Sequence, residues 1–169
     1  MLNLTVNGME NMITSLIDRQ RAVIWAEDYW SGQTYSDMIG DLTQAEAFSR
    51  PHPGLHTVAE LISHVVEWRK DNIRKILGDR PVPIRMGAYE DWIPNADLME
   101  KGWEVLKKEF YGSAEQLCEL LRAKDDPFLR ESPKGLEETY LFFLDGLINH
   151  DIYHLGQIGV TLKLLRSKS

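Results

Sequence analysis

Two histidines, His150 and His154, stand four residues apart near the C-terminal end of this 169-residue chain, and a third, His64, lies far from them in sequence. On an α-helix a separation of four places two side chains one above the other, about 5–6 Å apart at Cβ, so both rings can grip one cation. If the segment carrying His64 lies beside them, three neutral ring nitrogens converge. That is the ligand number of an open catalytic site with water in the remaining position. Zinc bonds such nitrogens at about 2.0–2.1 Å, and nickel, iron and manganese accept them as well. The candidate metal ligands are therefore His64, His150 and His154. The candidate cofactor is a divalent ion, zinc or nickel foremost and iron or manganese as alternatives.

Two polar neighbours could serve such a site. Gln157, three residues after His154, faces the same way and could hydrogen-bond a ligand or a bound water, or simply tie helices together. Glu67, three residues after His64, is a candidate proton acceptor or carboxylate partner, against the plainer reading of an exposed helix pair with Lys70. The histidines have a plainer reading too, as core rings hydrogen-bonded to a carbonyl or hydroxyl. His52 and His56 belong to a loop and stay outside the candidate site, and Cys118 reads as a small packing residue. The sequence has no Gly-rich phosphate loop, serine elbow or paired-cysteine zinc motif.

The elements that must carry these side chains are helical. Four segments repeat their apolar residues with a period of 3.6, and almost none alternates as a half-buried strand does. The first spans about 9–28, with Met9, Ile13, Leu16, Ile17, Gln20, Ile24 and Glu27 on one stripe. The second opens at Thr57 with Glu60 three residues on, carries Leu61, His64, Val65, Trp68 and Asn72 on one side, and stops at Gly78 and Pro81. A third runs from Asn95 or Asp97 to about Ala123, with Met99, Leu106, Phe110, Leu117 and Leu120 facing inward. The fourth, about 136–166, turns Tyr140, Phe143, Leu147, His150, His154, Ile158, Thr161 and Leu165 inward. Trp25, Trp92 and Tyr153 read as core, and Trp68 and Tyr140 as candidate pocket walls. Four such helices assemble most simply as an antiparallel four-helix bundle, all-α, forming one domain over 1–169. The first connection, 29–56, is long, and Thr43 with Glu46 could cap a short helix inside it.

Composition narrows the function classes. Hydrophobic residues at 43% and charged ones at 27% fit a globular chain, so a fibrous or wholly disordered protein is excluded. Nineteen Lys and Arg against 26 Asp and Glu give a net charge of -7, which disfavours nucleic acid as a partner. The single cysteine permits no internal disulfide, the N-terminal residues lack a secretory pattern, and no apolar run approaches the ~20 residues of a membrane span. The expectation is a cytoplasmic protein with no membrane partner.

The segments Thr57–Trp68 and Asn149–Ile158 together resemble the DinB-like family, also described as DinB/YfiT-type metalloenzymes. The first supplies a single histidine, His64, and the second a His-x-x-x-His followed by Gly156-Gln157. The resemblance extends over the chain in helix number, order and length. It implies an antiparallel four-helix bundle in which His64, His150 and His154 hold a divalent cation, often in a homodimer. It does not imply DNA polymerase activity. Members include S-transferases that use low-molecular-weight thiols and a maleylpyruvate isomerase. The implied activity is that of a metal-dependent transferase or hydrolase that prepares a thiol or water as nucleophile for a small-molecule substrate. The alternative is a non-catalytic bundle whose histidines, or a bound ion, are structural and support a dimer.

Overall fold

The computed structural model describes residues 11–79 and 84–167. Met9 and Pro81, named above in the first stripe and as a helix stop, lie outside these residues. Among the described residues every regular element is helical: α1 (Met12–Trp25), α2 (Tyr35–Ile39), α3 (Gln44–Phe48), α4 (Val58–Leu77), α5 (Asn95–Lys101), α6 (Trp103–Arg122) and α7 (Tyr140–Arg166), with a 3-10 turn at Asp126–Arg130 between the last two. None of these helices is long and apolar enough to cross a membrane.

Local chemistry sets the boundaries. Thr57 accepts from the Glu60 amide while the Glu60 carboxylate reaches back to the Thr57 amide, so two otherwise unpaired donors at the start of α4 are satisfied together. Gly78, at φ 80°, closes the other end in a left-handed conformation that costs glycine little. The same reciprocal cap starts α3 at Thr43 and Glu46, as expected, and starts α2 at Thr34 and Asp37.

The predicted third helix is two helices. Gly102 takes φ 88°, and this left-handed residue ends α5 and begins α6 with a change of direction. The phase of the stripe shifts accordingly, so Leu98 is buried and Met99 is exposed. Glu27 falls beyond the end of α1 and faces solvent, and Tyr153 is exposed on α7 rather than in the core.

Packing direction follows from side chains that bridge the long helices. The Tyr140 hydroxyl donates to the Lys75 carbonyl at 3.0 Å, while His64 meets His150, so α4 and α7 run in opposite senses. Arg69 reaches the Phe110 carbonyl, and Val58 and Leu61 share one apolar cluster with Trp103 and Leu106 whereas Ile73 and Ile76 share another with Leu117 and Leu121, so α4 runs alongside α6 in the same sense. Ile13 and Leu16 share one apolar cluster with Tyr140 and Leu144, whereas Val23 and Ile24 share another with Ile158 and Leu162, which sets α1 alongside α7 in the same sense. Between these two clusters all four long helices contribute to one buried polar knot. Arg69 from α4 pairs with Asp151 from α7 at 2.7 Å, Gln20 from α1 donates to the same carboxylate oxygen at 2.7 Å, and Arg69 also donates to Ser113 and the Phe110 carbonyl of α6.

Candidate metal centre

His64 lies in the second turn of α4, and His150 and His154 lie one turn apart on α7. Because the two helices are neighbours of opposite sense, the three rings meet. His150 Nε2 is 3.0 Å from His64 Nε2 and 3.0 Å from His154 Nε2, and one nitrogen from each ring fits within a 4.8 Å sphere of mutual distances. Tetrahedral ligands at about 2.0–2.1 Å from an ion stand about 3.3–3.4 Å apart, so small ring movements would suffice to seat one.

What holds each ring decides which nitrogen is free. His64 Nδ1–H donates to the Asp91 carbonyl oxygen at 2.8 Å, with Asp91 Oδ1 a further neighbour at 3.2 Å. His154 Nδ1–H donates to Gln157 Oε1 at 2.6 Å, and Gln157 Nε2 donates to the Tyr153 hydroxyl at 3.0 Å. With the proton on Nδ1 in both rings, Nε2 carries a lone pair toward the other rings. Burial pushes the His154 pKa down to about 4, and positive charge on His150 or His64 would push the same way. His64 is lowered too, again chiefly by burial. Both rings are thus neutral at pH 7, the form that binds a cation.

The Asp91 and Trp92 pair clamps His64 from the loop between α4 and α5. Asp91, itself buried, accepts from Trp68 Nε1 and from the Gly87 amide. Trp92 stacks on His64 with ring centres 4.0 Å apart, and on its other face stacks on His56 at 3.7 Å. His64 and His154 are almost sealed, while the His150 side chain keeps 25% of its surface exposed. A cavity of about 250 Å³, walled by Trp68, Asn72, Phe142, Phe143 and Leu147, opens beside His150. A second, of about 440 Å³, lies against Gln157 between Leu55, His56, Leu61, Tyr153 and Val160.

The structure therefore brings together His64, His150 and His154 and adds Gln157 to them through His154. Glu67 instead accepts from Lys70 at 2.8 Å, the plainer of its two readings. Asp91, Trp92, Arg69 and Asp151 were not legible as site residues. Asp91 and Trp92 sit in a loop without periodicity, and a buried Arg69 offers no signal beyond a charge inside an apolar run. Gln20, a polar residue on an apolar stripe, was a visible signal without a visible partner.

The sequence pattern of the DinB superfamily matches residues 28–158. The chain belongs to the DinB superfamily. Neither a curated protein nor a solved structure matches it. The DinB superfamily match starts after α1 and ends within α7, so it includes His64, His150 and His154 with the loop that clamps them. In this DinB superfamily chain the three histidines could hold a metal ion.

Proposed function

We propose that this protein is a metal-dependent enzyme in which His64, His150 and His154 hold one divalent cation, zinc or nickel foremost and iron or manganese as alternatives, within a four-helix bundle built from α1, α4, α6 and α7. The observation that carries the reading is the convergence of the three Nε2 atoms while the Nδ1 protons of His64 and His154 are tied to oxygen acceptors. Two rings are locked in the tautomer a cation needs, which a packing role for the histidines does not require.

A divalent ion in such a site supplies Lewis acidity, which lets a thiol or water lose its proton near neutral pH. The residues of the chain do the rest. His64 is held between its Asp91 bond and the Trp92 ring, His154 is held by Gln157, and the largely apolar walls beside His150 leave that ring reachable by a small molecule. Reaction types that fit are S-transfer from a low-molecular-weight thiol and hydrolysis. An accessible cavity at His150 favours a catalytic over a purely structural ion. The proposal places the protein in the cytoplasm as one domain that pairs with a second copy, for which exposed Phe142, Tyr153 and Val160 on α7 supply apolar surface. The mass in solution tests the pairing, and a monomer at micromolar concentration would remove it.

Metal analysis of protein purified without a histidine tag tests the site. About one equivalent of divalent ion is expected, and His150→Ala should strongly reduce it while leaving the helical circular dichroism largely intact. Unchanged stoichiometry in that variant would sink the assignment.

A further inference from the structure

Two of the three rings have their Nδ1 protons anchored, and the third poses the question. His150 Nδ1 is buried and makes no hydrogen bond; its neighbour Asp151 Oδ1, 4.0 Å away, is likewise buried and unbonded. The other Asp151 oxygen, Oδ2, is fully engaged, taking Gln20 Nε2 and Arg69 Nη2 at 2.7 Å each. Asp151 and Arg69 are both completely buried, and the Tyr35 hydroxyl fixes the backbone by donating to the Asp151 carbonyl at 2.7 Å. A carboxylate so constrained cannot turn its free oxygen elsewhere without breaking the ion pair. Leaving a buried acceptor and a buried ring nitrogen unpaired about 1 Å beyond bonding distance costs on the order of 1–3 kcal/mol for each group, and one small ring rotation would relieve both.

We propose that Asp151 is the positioning residue for His150: with a cation at the three histidines, which rests on the reading above, the ring closes onto Asp151 Oδ1, and the Nδ1–H bond formed there holds the Nε2 lone pair on the cation. All three ligands would then share one design, in which an oxygen acceptor on Nδ1 fixes the tautomer and raises the basicity of Nε2. His64 uses a backbone carbonyl, His154 an amide oxygen, and His150 a carboxylate held by α1 and α4. The polar knot between the long helices thereby tensions the metal centre as well as the bundle.

Asp151→Asn tests this sharply. With its oxygen kept by Arg69 and Gln20, the amide presents N–H toward His150 Nδ1, favouring the tautomer with the proton on Nε2, where no cation can bind. Zinc affinity, measured by chelator competition, should fall about 10–100-fold. Ser113→Ala, which loosens the same knot at Arg69 without touching the carboxylate, should lower the melting temperature and leave zinc affinity unchanged. Should Asp151→Asn fail to fold, ¹⁵N spectra of the histidine rings in the unsubstituted zinc-loaded protein decide the matter. His150 should carry its proton on Nδ1, in exchange with water as slow as that of His64 and His154. A proton on His150 Nε2, a fast-exchanging Nδ1 proton, or equal zinc affinity in Asp151→Asn would overturn the role of Asp151 while the three-histidine site stood. Failure of the unsubstituted protein to take up zinc, nickel, iron or manganese would overturn both.

Discussion

An imidazole has two nitrogens, and the partner of one fixes the state of the other. That rule gives the separate atoms around His64 and His154 a common purpose, since the Asp91 carbonyl and Gln157 Oε1 each hold an Nδ1 proton and each thereby expose an Nε2 lone pair. It also has a thermodynamic consequence. His154 has a pKa of about 4 when folded against an ordinary value of 6.5, because burial disfavours its charged form. Between those values the unfolded chain binds the proton that the folded one refuses, so acid favours unfolding. Thermal unfolding of the metal-free protein should therefore show full stability above pH 6.5 and a progressive loss toward pH 4, and His154→Ala should flatten that slope. The candidate ligands themselves were legible in the sequence, because the four-residue spacing and the apolar stripe place His150 and His154 together without any tertiary information. The acceptors behind them were not, since nothing in the sequence ties Asp91 to His64.

Helix boundaries came mostly from local chemistry. Thr57 with Glu60, Thr43 with Glu46 and Gly78 are cap signals whose physics is complete within four residues, and the structure uses them as read. The break at Gly102 was missed because apolar residues continue on both sides of it, so periodicity alone joins α5 to α6. A left-handed glycine decides the matter. A Cβ at Gly102 would touch nothing, so the cost of Gly102→Ala is one of backbone conformation, roughly 1–2 kcal/mol of destabilisation. Gly112 lies exposed in the interior of α6 with equally open space, and there alanine should stabilise by about 0.5–1 kcal/mol. Chemical denaturation of the two variants should give opposite signs. If Gly102→Ala does not destabilise, the special conformation at Gly102 is not what separates α5 from α6.

At the scale of the molecule, Gln20, Arg69, Ser113 and Asp151 join α1, α4, α6 and α7 between two apolar clusters. Burial alone would raise the Asp151 carboxyl, but the Arg69 charge and the hydrogen bonds at the carboxylate together hold it below its usual range, so the pair remains ionised in the core. Taking away one partner leaves a buried charge alone, and Arg69→Met should cost about 3–5 kcal/mol in denaturant unfolding, far more than loss of the exposed Arg19–Asp145 pair, worth about 0–1 kcal/mol. A cost for Arg69→Met as small as that of the surface pair would show that the knot is not what fastens the four helices.

By itself the sequence determined that the chain is all-helical, where its strongest caps lie, and which histidines share a face, because each of these depends on residues within a turn or two of one another. Only the tertiary structure decided that α4 lies against α7 in the opposite sense, that Trp92 and Asp91 seat His64, and that Arg69, Gln20 and Asp151 meet at all. Those pairings join positions tens of residues apart, and their energy comes from expelling water from surfaces that no local pattern identifies as partners.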